Sequence, residues 1–301
     1  MSSAYRITQR SVSNTMMSGL QSNLGRLQKL QEQLSSGKQM SRPSDSPVKT
    51  VEALQFRSSI RRTEQYVRNA DDGLAQLGAA DAALTDGLGL TRRVRDLVLT
   101  GMNDTIGGEG RAALAGEIEH LRDGLVGVAN TRYLDRPVFG GTSSSADAFT
   151  AAGSYAGDSG AVERTVGAGV QVPVNVTGDA VFGANGDPDQ LFRVLDDLAA
   201  ALRSGTADVH DRLRTGLVSL DKGIDRVIAS LGDVGARTNR LDTAKAAAEG
   251  SLISLANSLS EVEDIDLPKT IVDLQMQEVA YKAALGATAR VVQPSLLDFL
   301  R

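Results

Sequence analysis

The sequence predicts a mainly α protein, an elongated antiparallel helical bundle or coiled-coil rod with a small β-rich insert at its distal end. Three observations predict it. Apolar residues recur at alternating spacings of three and four through both halves of the chain, the signature of a helix that buries one stripe. The segment between those halves becomes rich in Gly, Ser and β-branched residues. The composition has 4% aromatic residues, no Trp, no Cys and 31 Gly, so Leu, Val and Ala must carry the burial, which suits long helices better than a thick interior.

The first seam is Met17, Leu20, Leu24, Leu27 and Leu34, interrupted by Gln31. It ends where Gly37 can cap a helix, and a polar loop follows through Arg42-Pro43-Ser44-Asp45. Pro47 fits the first turn of a second helix, with Asp45 or Ser46 as its N-cap, running to about Met102. Within it Ile60, Val67, Ala70, Leu74, Leu77, Leu84 and Leu88 keep the register, while Asp81 occupies a seam position. Gly73, Gly78, Gly87 and Gly89 loosen this helix at about 1 kcal/mol each relative to Ala. After Gly107-Gly108 a third helix places Leu114, Ile118, Leu121, Leu125 and Val128 on one face and stops near Pro137.

The region from Phe139 to about Asp187 changes character. Residues 162–166 and 170–176 read as two strands joined at Gly167-Ala168-Gly169, with Pro173 demanding an edge or a bulge. Helical pattern resumes at Asp187-Pro188-Asp189-Gln190, which resembles a capping box. Leu213, Leu217, Leu220, Ile224, Val227, Leu231 and Val234 then form an unbroken seam, continued by Leu241, Leu252, Leu255, Leu259 and Val262. Asp266 is placed to cap a last helix carrying Leu267, Ile271, Leu274, Tyr281, Leu285 and Val292 on one face. Pro294 stops or kinks that helix ahead of the apolar tail Leu296-Leu297-Asp298-Phe299-Leu300.

This order divides the chain into an amino-terminal coiled-coil arm (1–45), an outgoing helical rod (46–138), a β-rich insert (139–187), a returning rod (188–262) and a carboxy-terminal helical arm (263–301). Outgoing and returning helices pack on each other, which brings the two arms together.

The residues exclude more chemistry than they support. Formal net charge is -5, with 14 basic and 9 acidic residues in the first hundred positions, far from the basic stripe of a nucleic-acid binder. Without Cys there are no disulfides or thiolate nucleophiles. His120 and His210 are the only histidines, and both fall on solvated helical positions. Glu261, Glu263, Asp264 and Asp266 invite comparison with a calcium loop but lack its Gly and distal Glu; capping and a favourable charge at a helix start explain them at lower cost. No phosphate loop, dinucleotide pattern or zinc-protease helix occurs, so the expectation is a non-enzyme with no cofactor and no metal. Met1 to Arg10 lack the apolar core of a secretory signal, and no run is long enough to span a bilayer, so no membrane association is expected.

Two groups of residues then resemble a known family. Gln33-Leu34-Ser35-Ser36-Gly37-Lys38 with Arg42-Pro43-Ser44-Asp45-Ser46-Pro47, and Arg68-Asn69-Ala70-Asp71-Asp72-Gly73-Leu74, are similar to the amino-terminal signature of the flagellin superfamily. Ala280-Tyr281-Lys282-Ala283-Ala284-Leu285 and Pro294-Ser295-Leu296-Leu297-Asp298-Phe299-Leu300 resemble its hook-associated branch, as do Asn130-Thr131-Arg132-Tyr133-Leu134 and Val138-Phe139-Gly140-Gly141-Thr142. Ser46 departs from the pattern, where a second Asp is usual.

The resemblance implies a structural subunit of the bacterial flagellum, extracellular and exported without a cleaved signal peptide. It implies a ring of copies joining hook to filament, with flagellin, hook-associated protein 1 and an export chaperone as partners. The assembly interface is expected on Met17, Leu20, Leu24, Leu27 and Leu34 and on Leu267, Ile271, Leu274, Leu285, Val292, Leu296, Leu297 and Phe299, with both arms unstructured until assembly. The alternatives are a flagellin filament subunit and, outside the family, a secreted coiled-coil translocator.

Overall fold

The computed structural model describes residues 9–103, 105–204, 206 and 208–292. It is mainly α. The helices are α1 Gln9–Ser36, α2 Pro47–Gly101, α3 Gly108–Ala129, α4 Gly178–Phe182, α5 Leu191–Ser204, α6 Val209–Glu263 and α7 Leu267–Val292. Two antiparallel hairpins complete the fold, β1 Arg132–Tyr133 with β2 Arg136–Pro137 and β3 Glu163–Gly167 with β4 Val170–Pro173. Long helices with a small β insert are what the sequence predicts. The chain forms two compact units, one from the described parts of Met1–Arg61 and Ile253–Arg301, the other from Arg62–Leu252.

In the larger unit α2 and α6 run antiparallel, with Asp71 meeting Lys245 and Arg95 meeting Asp221. Helix α3 turns back along α2 through Arg93 and Glu117, and α5 turns back along α3 through Arg203 with Glu119 and Arg122 with Asp196. The seams read from sequence are the core: Ala70, Leu77 and Leu84 of α2, Ile118 and Leu125 of α3, and Leu213, Leu220, Val227, Val234 and Leu241 of α6 are all buried. Asp81 is exposed, and Ala80 is buried beside it. A charged residue in the heptad frame is carried to solvent because an α-helix drifts against a strict seven-residue repeat.

The glycines of α2 divide into two kinds. A Cβ on Gly73 would stand 2.8 Å from Val174 and 3.0 Å from Leu241, so this glycine is a point of close approach. Gly78 and Gly89 face open space. We expect Gly73→Val to destabilise this unit by about 1–3 kcal/mol through overpacking. Gly78→Ala is expected to stabilise it by about 1 kcal/mol through helix propensity. Paired denaturant titrations would read both.

Three boundaries differ from expectation. Helix α3 ends at Ala129, not near Pro137, because Leu134 and Asp135 both adopt positive φ (47° and 60°) and fold residues 132–137 into a hairpin. The capping box at Asp187 does not form. Asp187 instead closes a turn, accepting from the backbone N–H groups of Asp189 and Gln190, and α5 begins at Leu191 with the Gln190 carbonyl accepting the first helical bond from Val194. The second strand of the insert stops at Pro173: the Val174 N–H still donates to the Val162 carbonyl, but the Val162 N–H is taken by the Asn175 side chain at 2.8 Å, which closes the ladder.

The insert, with Phe192 from the start of α5, gathers the fold's aromatic cluster. Phe139, Phe149, Phe182 and Phe192 are buried, and Phe149 lies 5.0–5.3 Å from the rings of Phe182, Phe192 and Tyr155. Tyr155 donates its hydroxyl to the carbonyls of Phe139 and Asp158, and burial pushes its phenol up to about 12. Asp158 closes the adjoining loop by accepting from the amide and hydroxyl of Thr142, both at 2.7 Å.

Candidate assembly surface

In the smaller unit α1 and α7 pack antiparallel: Gln277 reaches Asn23 while Ile265 bonds Gly37. Helix α1 ends as the sequence predicts, with Gly37 at φ +70° and its N–H bonded to the Gln33 carbonyl. Helix α7 begins as predicted, the Asp266 carboxylate accepting from the Lys269 N–H at 3.0 Å.

The contact between these helices buries little. Among the described residues no apolar side chain of α1 or α7 is buried. Met17 (53% exposed), Leu24 (40%), Leu267, Ile271 and Leu285 are exposed, and Leu20, Leu27, Leu34 and Leu274 are half-buried. The structure therefore places those expected residues on one helix pair with their apolar surface largely open. The Val292 side chain and Leu296, Leu297 and Phe299 lie outside the described residues.

Sequence reading missed a second stripe on α7. Val272, Met276 and Val279 are 54%, 66% and 66% exposed, at the i, i+4, i+7 spacing that puts them on one face. The spacing is present in the sequence, beside the seam of Leu267, Ile271 and Leu274 on the same helix. An open groove of about 470 Å³ runs between the helices, lined by Leu30, Gln33, Met276, Gln277 and Ala280 with Arg26, Lys29 and Asp273 at its rim.

Where the two helices meet the rest of this unit, the acidic stretch has a structural use. The buried Glu263 carboxylate (7% exposed) receives Arg57 at 2.9 Å and Lys38 at 3.3 Å. Asp264 receives Lys38 at 2.6 Å and the Ser260 hydroxyl. These two hydrogen bonds hold the Asp264 carboxyl below the usual carboxylate range, and its charge in turn raises Lys38. Asp45 turns back to the N–H groups of Ser41 and Arg42 and to Lys29, leaving Ser46 as the residue whose carbonyl opens α2.

The signs fix a pH window. A carboxylate depressed on folding stabilises above its unfolded value near 3.8 and loses that contribution as pH falls through its folded value; the raised Lys38 does the converse above about 10.5. In assembled copies, where this contact is formed, amide exchange at Gln39 and Ile265 is therefore expected to be steady from about pH 4 to 10, after correction for intrinsic rates, and to accelerate in acid.

His120 is exposed, whereas His210 is half-buried with its Nε2 3.2 Å from the Met102 carbonyl, less solvated than its sequence position suggests. Among the described residues no group of three His, Cys, Asp or Glu is placed to hold a metal, and no helix is long and apolar enough to cross a membrane.

Residues 7–142 match the family described as bacterial flagellin N-terminal helical region. Flagellar hook-associated protein 3 of Escherichia coli (strain K12) is 25% identical, over 90% of this chain and 92% of its own length. Flagellin of Bacillus subtilis (strain 168) is 26% identical, over 98% and 100%. Among solved structures, a flagellar hook-associated protein from Vibrio parahaemolyticus superposes with a TM-score of 0.68 at 20% identity, covering 73% of this chain and all of that one. The amino-terminal half of the chain thus matches the helical region of flagellins, and over nearly its whole length the chain is similar to structural proteins of the bacterial flagellum. Its likeness extends over nearly its whole length to hook-associated protein 3, the branch to which its carboxy-terminal residues point.

Proposed function

We propose that the chain is the adapter subunit between hook and filament, polymerising as a short ring through α1 and α7. The observation that carries the reading is the pairing of two long terminal helices with no buried apolar side chain among their described residues. A helix hairpin so poorly buried gains too little to offset its ordering cost alone. Neighbouring copies supply the missing surface, so the arms, 1–45 and 263–301, are unstructured in the free chain and order on incorporation. The contacts are heterologous, each copy offering one face to the next, which lets one subunit type bridge two lattices.

Hook-associated protein 3 among the relatives, and the ending Pro294-Ser295-Leu296-Leu297-Asp298-Phe299-Leu300, favour the junction over the filament. On this reading the partners are hook-associated protein 1 on one side, flagellin on the other and an export chaperone before assembly, with export needing no cleaved signal. The second reading, a flagellin, is favoured by the match to flagellins over nearly the full length. Purified chain added to isolated hook fragments decides between them. Short caps that stop growing and then accept flagellin support the junction role; long homopolymers overturn it.

A further inference from the structure

We infer that the clasp formed by Gly37, Lys38 and Gln39 with Glu263, Asp264 and Ile265 sets the register in which α1 and α7 pair. Its backbone half is an antiparallel bridge: the Gln39 N–H donates to the Glu263 carbonyl at 2.6 Å, the Ile265 N–H donates to the Gly37 carbonyl at 3.1 Å, and Lys38 stands opposite Asp264. Its side-chain half is ionic. Lys38 reaches both carboxylates and Arg57, from the start of α2, reaches Glu263.

The clasp has almost no slack to either helix. Helix α1 ends at Ser36, immediately before Gly37, and α7 starts at Leu267, two residues beyond Ile265. A fixed pairing of 37 with 265 therefore fixes which residues of α1 can lie opposite which residues of α7.

The helices themselves specify that choice weakly. Register is set strongly where one face is buried and must stay buried, and among the described residues of these helices no apolar side chain is. A seam of Leu, Met and Ala repeating every seven residues fits nearly as well after a slip of one heptad, a displacement of roughly 10 Å along the axis. The Gln277 amide meeting Asn23 at 3.2–3.3 Å is one polar contact along the interface, half-way down α1.

The burial of Glu263 supports the same reading. A carboxylate 7% exposed carries a desolvation cost that its ion pairs offset only in good geometry, and an apolar residue of similar size would pack there at less cost. A buried charge that contributes little net stability still discriminates, because in a slipped register it would lose Lys38 and keep only Arg57, which comes from α2. Fixing register is the best-attested use of such a group.

The sequence contains no Cys, so disulfide trapping in assemblies of the full chain, where the arms are ordered, is free of background. Asn23→Cys is combined in turn with Gln277→Cys, Thr270→Cys and Ala284→Cys, which report the native register and slips of one heptad either way. With the clasp intact the 23–277 pair is expected to cross-link at least tenfold faster than the other two. In the Lys38→Met, Glu263→Leu background the slipped pairs are expected to rise to comparable rates, and Lys38→Arg is expected to keep the native preference. An unchanged pattern in the clasp variant overturns the inference. So does a uniform fall in all three rates, which would mean that the clasp holds the helices together rather than in register. The unfolding midpoint of Arg62–Leu252, followed in the same samples, is expected not to move.

Discussion

Chains carrying Val272→Ser, Met276→Ser and Val279→Ser together are expected to fold normally yet polymerise only at a roughly hundredfold higher concentration. The three side chains are more than half exposed in the lone chain, so removing them leaves no cavity and breaks no internal packing. Helix propensity changes little, since Ser lies close to Val and somewhat below Met. In the proposed assembly the same side chains are to be covered by a neighbour, and each is expected to contribute roughly 1 kcal/mol, part of the 1.5–3 kcal/mol that complete burial of such a residue brings. Three such losses amount to about two decades of affinity. Sedimentation across a concentration series reads the critical concentration, and calorimetry of the larger unit reads folding. A variant that assembles like the parent would remove α7 from the assembly surface.

Phe149→Ala is expected to act in the opposite way, costing the larger unit about 3–5 kcal/mol. Phe149 is fully buried and its ring sits among Phe182, Phe192 and Tyr155, so truncation loses transfer energy, leaves a cavity and removes aromatic edge contacts at once. Against a typical total of roughly 5–15 kcal/mol this is a large fraction. The exposed Leu134→Ala serves as the control and is expected to change stability by less than about 0.5 kcal/mol. Urea titrations of the two variants test the contrast. Equal stabilities would mean that the aromatic cluster is not what holds the insert to its helices.

The long helices were legible because their information is periodic. Leu213 through Val234 repeats often enough that its phase survives local noise, and every one of these seam residues is at least half-buried in the structure. Gly37 and Asp266 were legible for a different reason: a C-cap glycine and an N-cap carboxylate act within a few residues, and the Gln33 and Lys269 bonds are that local.

What escaped was non-local or singular. The helix-like run after Ala129 gave way to a hairpin because Leu134 and Asp135 take left-handed conformations, which an aspartate tolerates but a leucine disfavours. The aromatic cluster gathers residues from positions 139 to 192, and no spacing rule joins them. The clasp joins Lys38 to residues 225 and 226 positions away, so the carboxylates read in isolation suggested only helix capping. The second stripe of α7 was present in the sequence, yet its meaning depends on knowing which face α1 occupies.

The measurement that bears most directly on the account is amide hydrogen exchange along α1 and α7, in the free chain and in assemblies grown on hook fragments. Half-exposed leucines without a partner predict exchange in the free chain close to that of an unfolded segment, and protection rising by at least a hundredfold in the assembly. Protection of both helices in the free chain equal to that of α6 would contradict it, since the terminal helices would then be stable without any neighbour.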